Sequence, residues 1–120
     1  MSSSIKQAVK IIFDKQDRVF ATAAQIVKDL AMFGIEINFS GNINNAYEEL
    51  HGQLVHQIDH LIHHFPSKFI AVLYRIDIDE KLLDANNENL KHYNEVERVS
   101  HIIIERELKK VLTRMFYKTT

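Results

Sequence analysis

PSKFIAVLYRIDIDE, residues 66–80, is the stretch that decides how this chain folds. Phe69, Ile70, Val72, Leu73, Tyr74, Ile76 and Ile78 crowd into it. Between 66 and 76 they face nearly every side of a helix. A helix apolar all round belongs in the middle of a core. Pro66 suits its first turn, where the N–H that proline lacks has no intrahelical partner anyway. Asp77 and Asp79 read as N-caps of one more turn over 80–84, with Arg75 ion-paired to this acidic cluster.

The flanking sequence is helical too. Upstream, Leu50, Leu54, Ile58, Leu61 and Phe65 recur at helical spacing and predict a helix over about 45–64, opened by a capping box from Asn45 to Glu48. Before it, Ile35, Ile37 and Phe39 alternate with polar residues as an extended strand would. No second run alternates, so residues 35–42 read as an extended connection pinned to a bundle. The first segment carries Ile5, Val9, Ile12, Gln16, Val19, Ala23, Ile26, Leu30 and Phe33 at spacings of three and four. This seam stays in register through residues 14–18, which predicts one long helix of about 45 Å. Ser2, Ser3 and Ser4 can cap it and Gly34 can stop it. Downstream, Asn86, Asn87 and Asn89 interrupt the pattern. A last helix is then expected from about 88 to 117, with Leu90, Tyr93, Val96, Ile103, Leu108, Val111, Leu112 and Met115 on one face.

The expected fold is therefore all-α. A single domain, 1–120, holds about four main helices, and the two long ones, first and last, flank a shorter central pair. Composition agrees. The apolar fraction of 46% and charged fraction of 26% are those of a globular protein. Three glycines and one proline are too few for the many turns of a β-sandwich. The absence of cysteine excludes disulfides and thiolate metal sites and suits a reducing cytoplasm. No apolar run is long enough for a signal peptide or a membrane span, so no membrane partner is expected.

LYRIDIDEKL at 73–82 and IIIERELKKVLTR at 102–114 resemble two phrases of a family of short, helical, uncharacterised bacterial proteins. Members carry L-Y-R-I-D-V-S-E near the middle and I-I-E-R-Q-L-x-K near the C-terminus. The likeness covers roughly the second half of the chain. Ile78 stands where the family often has valine, Asp79 where it often has serine, and Glu107 where glutamine is frequent. Asp and Ser both cap helices, so the second departure keeps its physical role. The resemblance implies an all-helical fold and a cytoplasmic address, and it carries no activity with it.

Candidate chemistry is sparse. His56, His60 and His63 lie within about 60° on one side of the second helix, a spacing at which imidazoles can share a metal ion. That side is opposite Leu54 and Ile58, so a solvated polar face is the simpler reading. His51 falls on the apolar side and reads as a half-buried histidine with a hydrogen-bond partner. The carboxylates of Asp77, Asp79, Glu80 and Asp84 lack the glycine and final glutamate of an EF-hand loop. No glycine-rich phosphate loop, nucleophile elbow or H-E-x-x-H motif is present, so no enzyme and no cofactor are expected.

The net charge of −1 hides a segregation. Residues 1–34 carry five Lys/Arg against three Asp/Glu, residues 35–97 four against eleven, and residues 98–120 six against two. The last group (Arg98, Arg106, Lys109, Lys110, Arg114 and Lys118) could contact nucleic acid weakly, but cations at a helix C-terminus also complement its dipole. A nucleic-acid module is usually clearly basic, whereas the pI here is near 6.6.

One pattern asks for a partner. Ile102, Ile103 and Ile104 are consecutive, and three adjacent residues on a helix point in three directions. Ile102 or Ile104 is therefore expected in a subunit contact. The function that follows is a small non-enzymatic interaction protein that self-associates as a homodimer. A metal- or ligand-binding protein using the histidine face is the alternative, and nucleic-acid binding by the last helix is third.

Overall fold

The structure is a computed structural model. It describes residues 2–79, 81 and 94–118, with side chains from residue 15 onward in the first helix and to residue 117 in the last. Four helices run in the order α1 (Ser2–Ala31), α2 (Ala46–His64), α3 (Pro66–Ile76) and α4 (Glu95–Lys118), with a 3-10 turn, Ile43–Asn45, just before α2. No strand occurs among the described residues. The fold is an all-α bundle of four helices, as the periodicities require. α1 is one continuous helix of 30 residues through 14–18, and Gln16 is exposed on it.

The core is one cluster. Ile26 and Leu30 of α1, Leu54 and Ile58 of α2, Val72 and Ile76 of α3 and Ile103 of α4 are all fully buried. α4 is its hub. It packs most heavily on α1 and α2, which meet each other mainly through it. Ile102, Ile103 and Ile104 are all buried inside the single chain. Their three directions are covered by neighbouring helices, so the reason for expecting Ile102 or Ile104 in a subunit contact disappears.

α3 corrects a second expectation. Val72, Leu73 and Ile76 face the core, but Ile70 is 44% and Tyr74 79% exposed. α3 lies at the edge of the bundle, and Ile70 and Tyr74 join Phe20 of the first helix, Met32 near its end, and Phe116 and Tyr117 of α4 among the large apolar side chains left exposed.

Two helices end the same way. Gly34 has φ +73°. Its N–H donates to Ala31 O at 3.0 Å, and the Ile35 N–H reaches Leu30 O at 3.1 Å. This is a Schellman closure, sealed by the buried pair Leu30 and Ile35. Asp77 repeats it at the end of α3 with φ +67°. The Asp77 N–H donates to Tyr74 O at 3.2 Å and the Ile78 N–H to Leu73 O at 3.0 Å. Asp77 is thus the left-handed residue that closes α3 and not an N-cap. Asp is among the few non-glycine residues that take this conformation readily.

The N-termini also differ from the sequence reading. Asn45 makes no side-chain cap to α2, and Asn42 Oδ1 caps the preceding turn through Asn44 N–H at 3.1 Å. The reciprocal box is formed at α4, where Asn94 Oδ1 accepts the Glu97 N–H at 2.9 Å and Glu97 Oε1 accepts the Asn94 N–H at 3.3 Å. α4 accordingly starts at Glu95, later than the expected 88. The expected turn over 80–84 and the seam positions Leu90 and Tyr93 lie outside the described residues, apart from Lys81, whose N–H donates to Asp79 Oδ1 at 2.9 Å.

Candidate functional site

Two places in the bundle combine burial with polar chemistry. The first is a carboxyl pair between α1 and α4. Asp29 is 1% exposed and Glu107 fully buried. Gln25, one turn earlier on α1, donates from Nε2 to Asp29 Oδ2 at 3.0 Å. Lys110 Nζ lies 3.4 Å from Asp29 Oδ2 and 2.9 Å from Glu107 Oε1, and Arg75 Nε lies 3.5 Å from Asp29 Oδ1. Three helices thus supply one ionic cluster.

Its two acids hold their protons differently. Burial pushes the Glu107 carboxyl up from 4.5 to about 7, and its hydrogen bond with Asp29 pushes the same way. Burial also pushes Asp29 up, but hydrogen bonds from Glu107 and Gln25 and the Lys110 ammonium outweigh it and hold Asp29 below its ordinary value. As a carboxylate, Glu107 finds no well-directed donor for either buried oxygen, and the Lys110 contact is electrostatic. As a carboxylic acid, it donates to Asp29. Below about pH 7 the pair therefore carries one proton on Glu107 and one negative charge on Asp29, beside Lys110 and Arg75. Both carboxyls face protein rather than an opening, so the cluster locks α1, α3 and α4 together.

The second place is a hollow of about 270 Å³ between α1, the start of α2 and α4. Val19, Ala46, Leu50, Ile104 and Leu108 line it, with Thr22 among them and Lys15, Arg18 and Tyr47 also on its wall. Beside it runs a polar chain. His101 donates from Nε2 to Glu105 Oε1 at 3.0 Å, which leaves Nδ1 to accept the Tyr47 hydroxyl at 2.7 Å. His51 stacks on the Tyr47 ring and donates from Nε2 to Glu97 O at 3.1 Å. His51 is half-buried with a partner, as its helical position suggests. The contacts of Tyr47 with His101 and of His51 with Glu97 also show that α2 and α4 run antiparallel.

The residues singled out in the sequence scatter. His56, His60 and His63 are exposed. His63 Nδ1 donates to Asp59 O at 2.8 Å, while the His60 ring meets His64 and Phe65. No group of three or more His, Asp or Glu side chains among the described residues is placed to hold a metal. Arg75 pairs across the bundle with Asp29, not with the acidic cluster after it. Asp77 pairs with Arg106, whose Nη2 lies 3.0 Å from Asp77 Oδ2 and whose Nε donates to Asp77 O at 2.9 Å. Arg106 and Lys110 are therefore committed to internal pairs and are withdrawn from the basic face that nucleic acid would need. Asp29 and Glu107 stand at helical spacing from apolar seam residues, and nothing in the sequence distinguishes them from solvated acids.

Comparison of the chain with protein-family models, with curated proteins and with solved structures finds no match. No helix among the described residues is long and apolar enough to cross a membrane.

Proposed function

We propose that this chain is a non-enzymatic, cytoplasmic interaction protein that pairs with a second copy of itself through the outer face of α3. The observation that supports this is a knob beside a hole. Tyr74, 79% exposed, rises as one wall of a hollow of about 290 Å³ whose other walls are Ile70, Leu73, Ile78 and Asp79. A face with both features is self-complementary under a two-fold axis, because each copy's Tyr74 enters the other's hollow and the two contacts form together. Asp79 on the rim offers a carboxylate to the incoming phenol. A net charge of −1 leaves little repulsion to keep copies apart.

The test is the mass in solution as concentration rises, by light scattering or sedimentation. Wild type is expected to approach twice the chain mass. Tyr74→Ala is expected to stay at 14.0 kDa with unchanged helical circular dichroism. A wild type that remains a strict monomer at the highest concentration would falsify the proposal.

A further inference from the structure

The exposed histidines of α2 include a pair that neither the dimer face nor the ionic cluster uses. His60 and His64 stand one turn apart at the end of the helix, with ring centroids 4.7 Å apart. Two imidazoles that share one metal ion, each bound through a nitrogen at about 2.0–2.1 Å, place their centroids roughly 4.5–5 Å apart. Both side chains are exposed, and neither makes a hydrogen bond or ion pair with a described residue. Their nitrogens are therefore open to an outside ligand. The neighbouring His63 is spent differently, with Nδ1 on Asp59. The Phe65 ring packs beside the His60 ring at 5.6 Å and holds the Lys68 ammonium over its own face. The end of α2 adds a favourable field. Pro66 brings no N–H to the Ile62 carbonyl, which a continuing helix would have bonded, and the carbonyl end of a helix favours a cation.

We propose that His60 and His64 form a two-imidazole seat for one divalent transition-metal ion, with copper(II) bound more tightly than nickel or zinc. Imidazole nitrogen suits all three ions, and copper is the tightest of the series. The two rings chelate the ion from adjacent turns, and its remaining positions stay open to water. Magnesium and calcium need oxygen donors, which the pair does not offer. The packing thus selects two histidines from the row. His63 is turned to Asp59, and the His56 ring meets no other ring among the described residues.

Copper(II) chloride is the probe, titrated by calorimetry into the untagged chain in a buffer that does not bind copper. One ion is expected per chain, with nitrogen splittings from two imidazoles in the electron paramagnetic resonance spectrum. His60→Ala and His64→Ala are each expected to weaken binding at least about ten-fold, since even the outer partners of metal ligands are worth that much. His56→Ala and His63→Ala are expected to leave the affinity unchanged. All four side chains are exposed, and helical circular dichroism checks that each variant folds. The wild-type spectrum counts the nitrogens without any variant. Absence of copper binding overturns the proposal. Several equivalent ions per chain, or equal losses on His56→Ala and His64→Ala, would show adventitious binding to surface imidazoles only and overturn it too. One ion per two chains with four nitrogens would make the ion a bridge between copies and overturn the single-chain seat.

Discussion

A carboxyl group sealed from water keeps its proton into the range where its solvated counterparts have lost it, and Glu107 does so up to about 7. Between pH 4.5 and 7 the unfolded chain has lost this proton and the folded chain still holds it. The folded state then binds more protons, so stability falls as pH rises through that window and levels off above it. The gap corresponds to roughly 3 kcal/mol. Asp29 has the opposite sign. Its stabilising effect is present above its ordinary pKa and is lost only as pH falls through its lowered folded value, so it stays constant from pH 5 to 8. Glu107→Gln should therefore match wild type near pH 5, where an amide donates to Asp29 as the acid does. By pH 8 it should be more stable than wild type by about 1–3 kcal/mol. Urea unfolding of both proteins at the two pH values measures the difference, and parallel pH profiles would refute the assignment. Asp29→Ala has a different outcome. It removes the acceptor of Gln25 and the buried partner of Lys110 and the half-exposed Arg75, while Glu107 remains beside Lys110, and should cost about 1–3 kcal/mol at pH 7.

The connection from α1 to α2 shows how an element can be read correctly and its support missed. The alternation of Ile35, Ile37 and Phe39 marks an extended segment, and Ile35 and Ile37 are buried. A lone strand needs main-chain partners, and α2 side chains supply them. Gln53 accepts the Asn38 N–H at 2.9 Å and donates to Asn38 O at 2.6 Å, acting as one rung of a ladder. Glu49 accepts from the Ser40 N–H at 2.5 Å and from the Ser40 hydroxyl at 2.6 Å. Gln53→Ala removes both rungs at Asn38 and should cost about 1–2 kcal/mol. Amide hydrogen exchange at Asn38 is expected to rise while the amides of Leu54 and Ile58 in the middle of α2 keep their protection. Uniform loss of protection along α2 would show that Gln53 supports the helix and not the connection. The capping signals divide similarly. Asn94 and Glu97 carry the box pattern in plain sight, but the apolar spacing of Leu90 and Tyr93 drew the expected helix start past it. A capping aspartate and a left-handed aspartate look alike in sequence, and only the positive φ of Asp77 tells them apart.

For the whole molecule, helix number, order and most boundaries were legible because each helix keeps a strict apolar seam. The arrangement was not. Periodicity gives each helix a face but not its neighbour, so the apolar density of α3 points to the centre although α3 lies at the edge, and the mixed surface of α4 hides its place as the hub. The ionic cluster was invisible for the same reason. Gln25, Asp29, Arg75, Glu107 and Lys110 meet only through the packing of three helices. The misplacement of α3 also moves the expected interface from Ile102 and Ile104 to Ile70 and Tyr74, and this has a thermodynamic consequence. An association that involves only the folded chain stabilises it by mass action, so Tm must rise with protein concentration. Raising the concentration a hundred-fold above the dissociation constant contributes roughly 1–3 kcal/mol per chain, which is about 4–8 °C per kcal/mol for domains near this size. Ile70→Glu should abolish the concentration dependence. It should leave Tm at low concentration unchanged within about 2 °C, since Ile70 is already half in water in the single chain. Calorimetric scans across two decades of concentration decide between the surfaces. A slope that survives Ile70→Glu would mean that the copies meet elsewhere. A drop in Tm at low concentration would mean that Ile70 serves the fold of one chain.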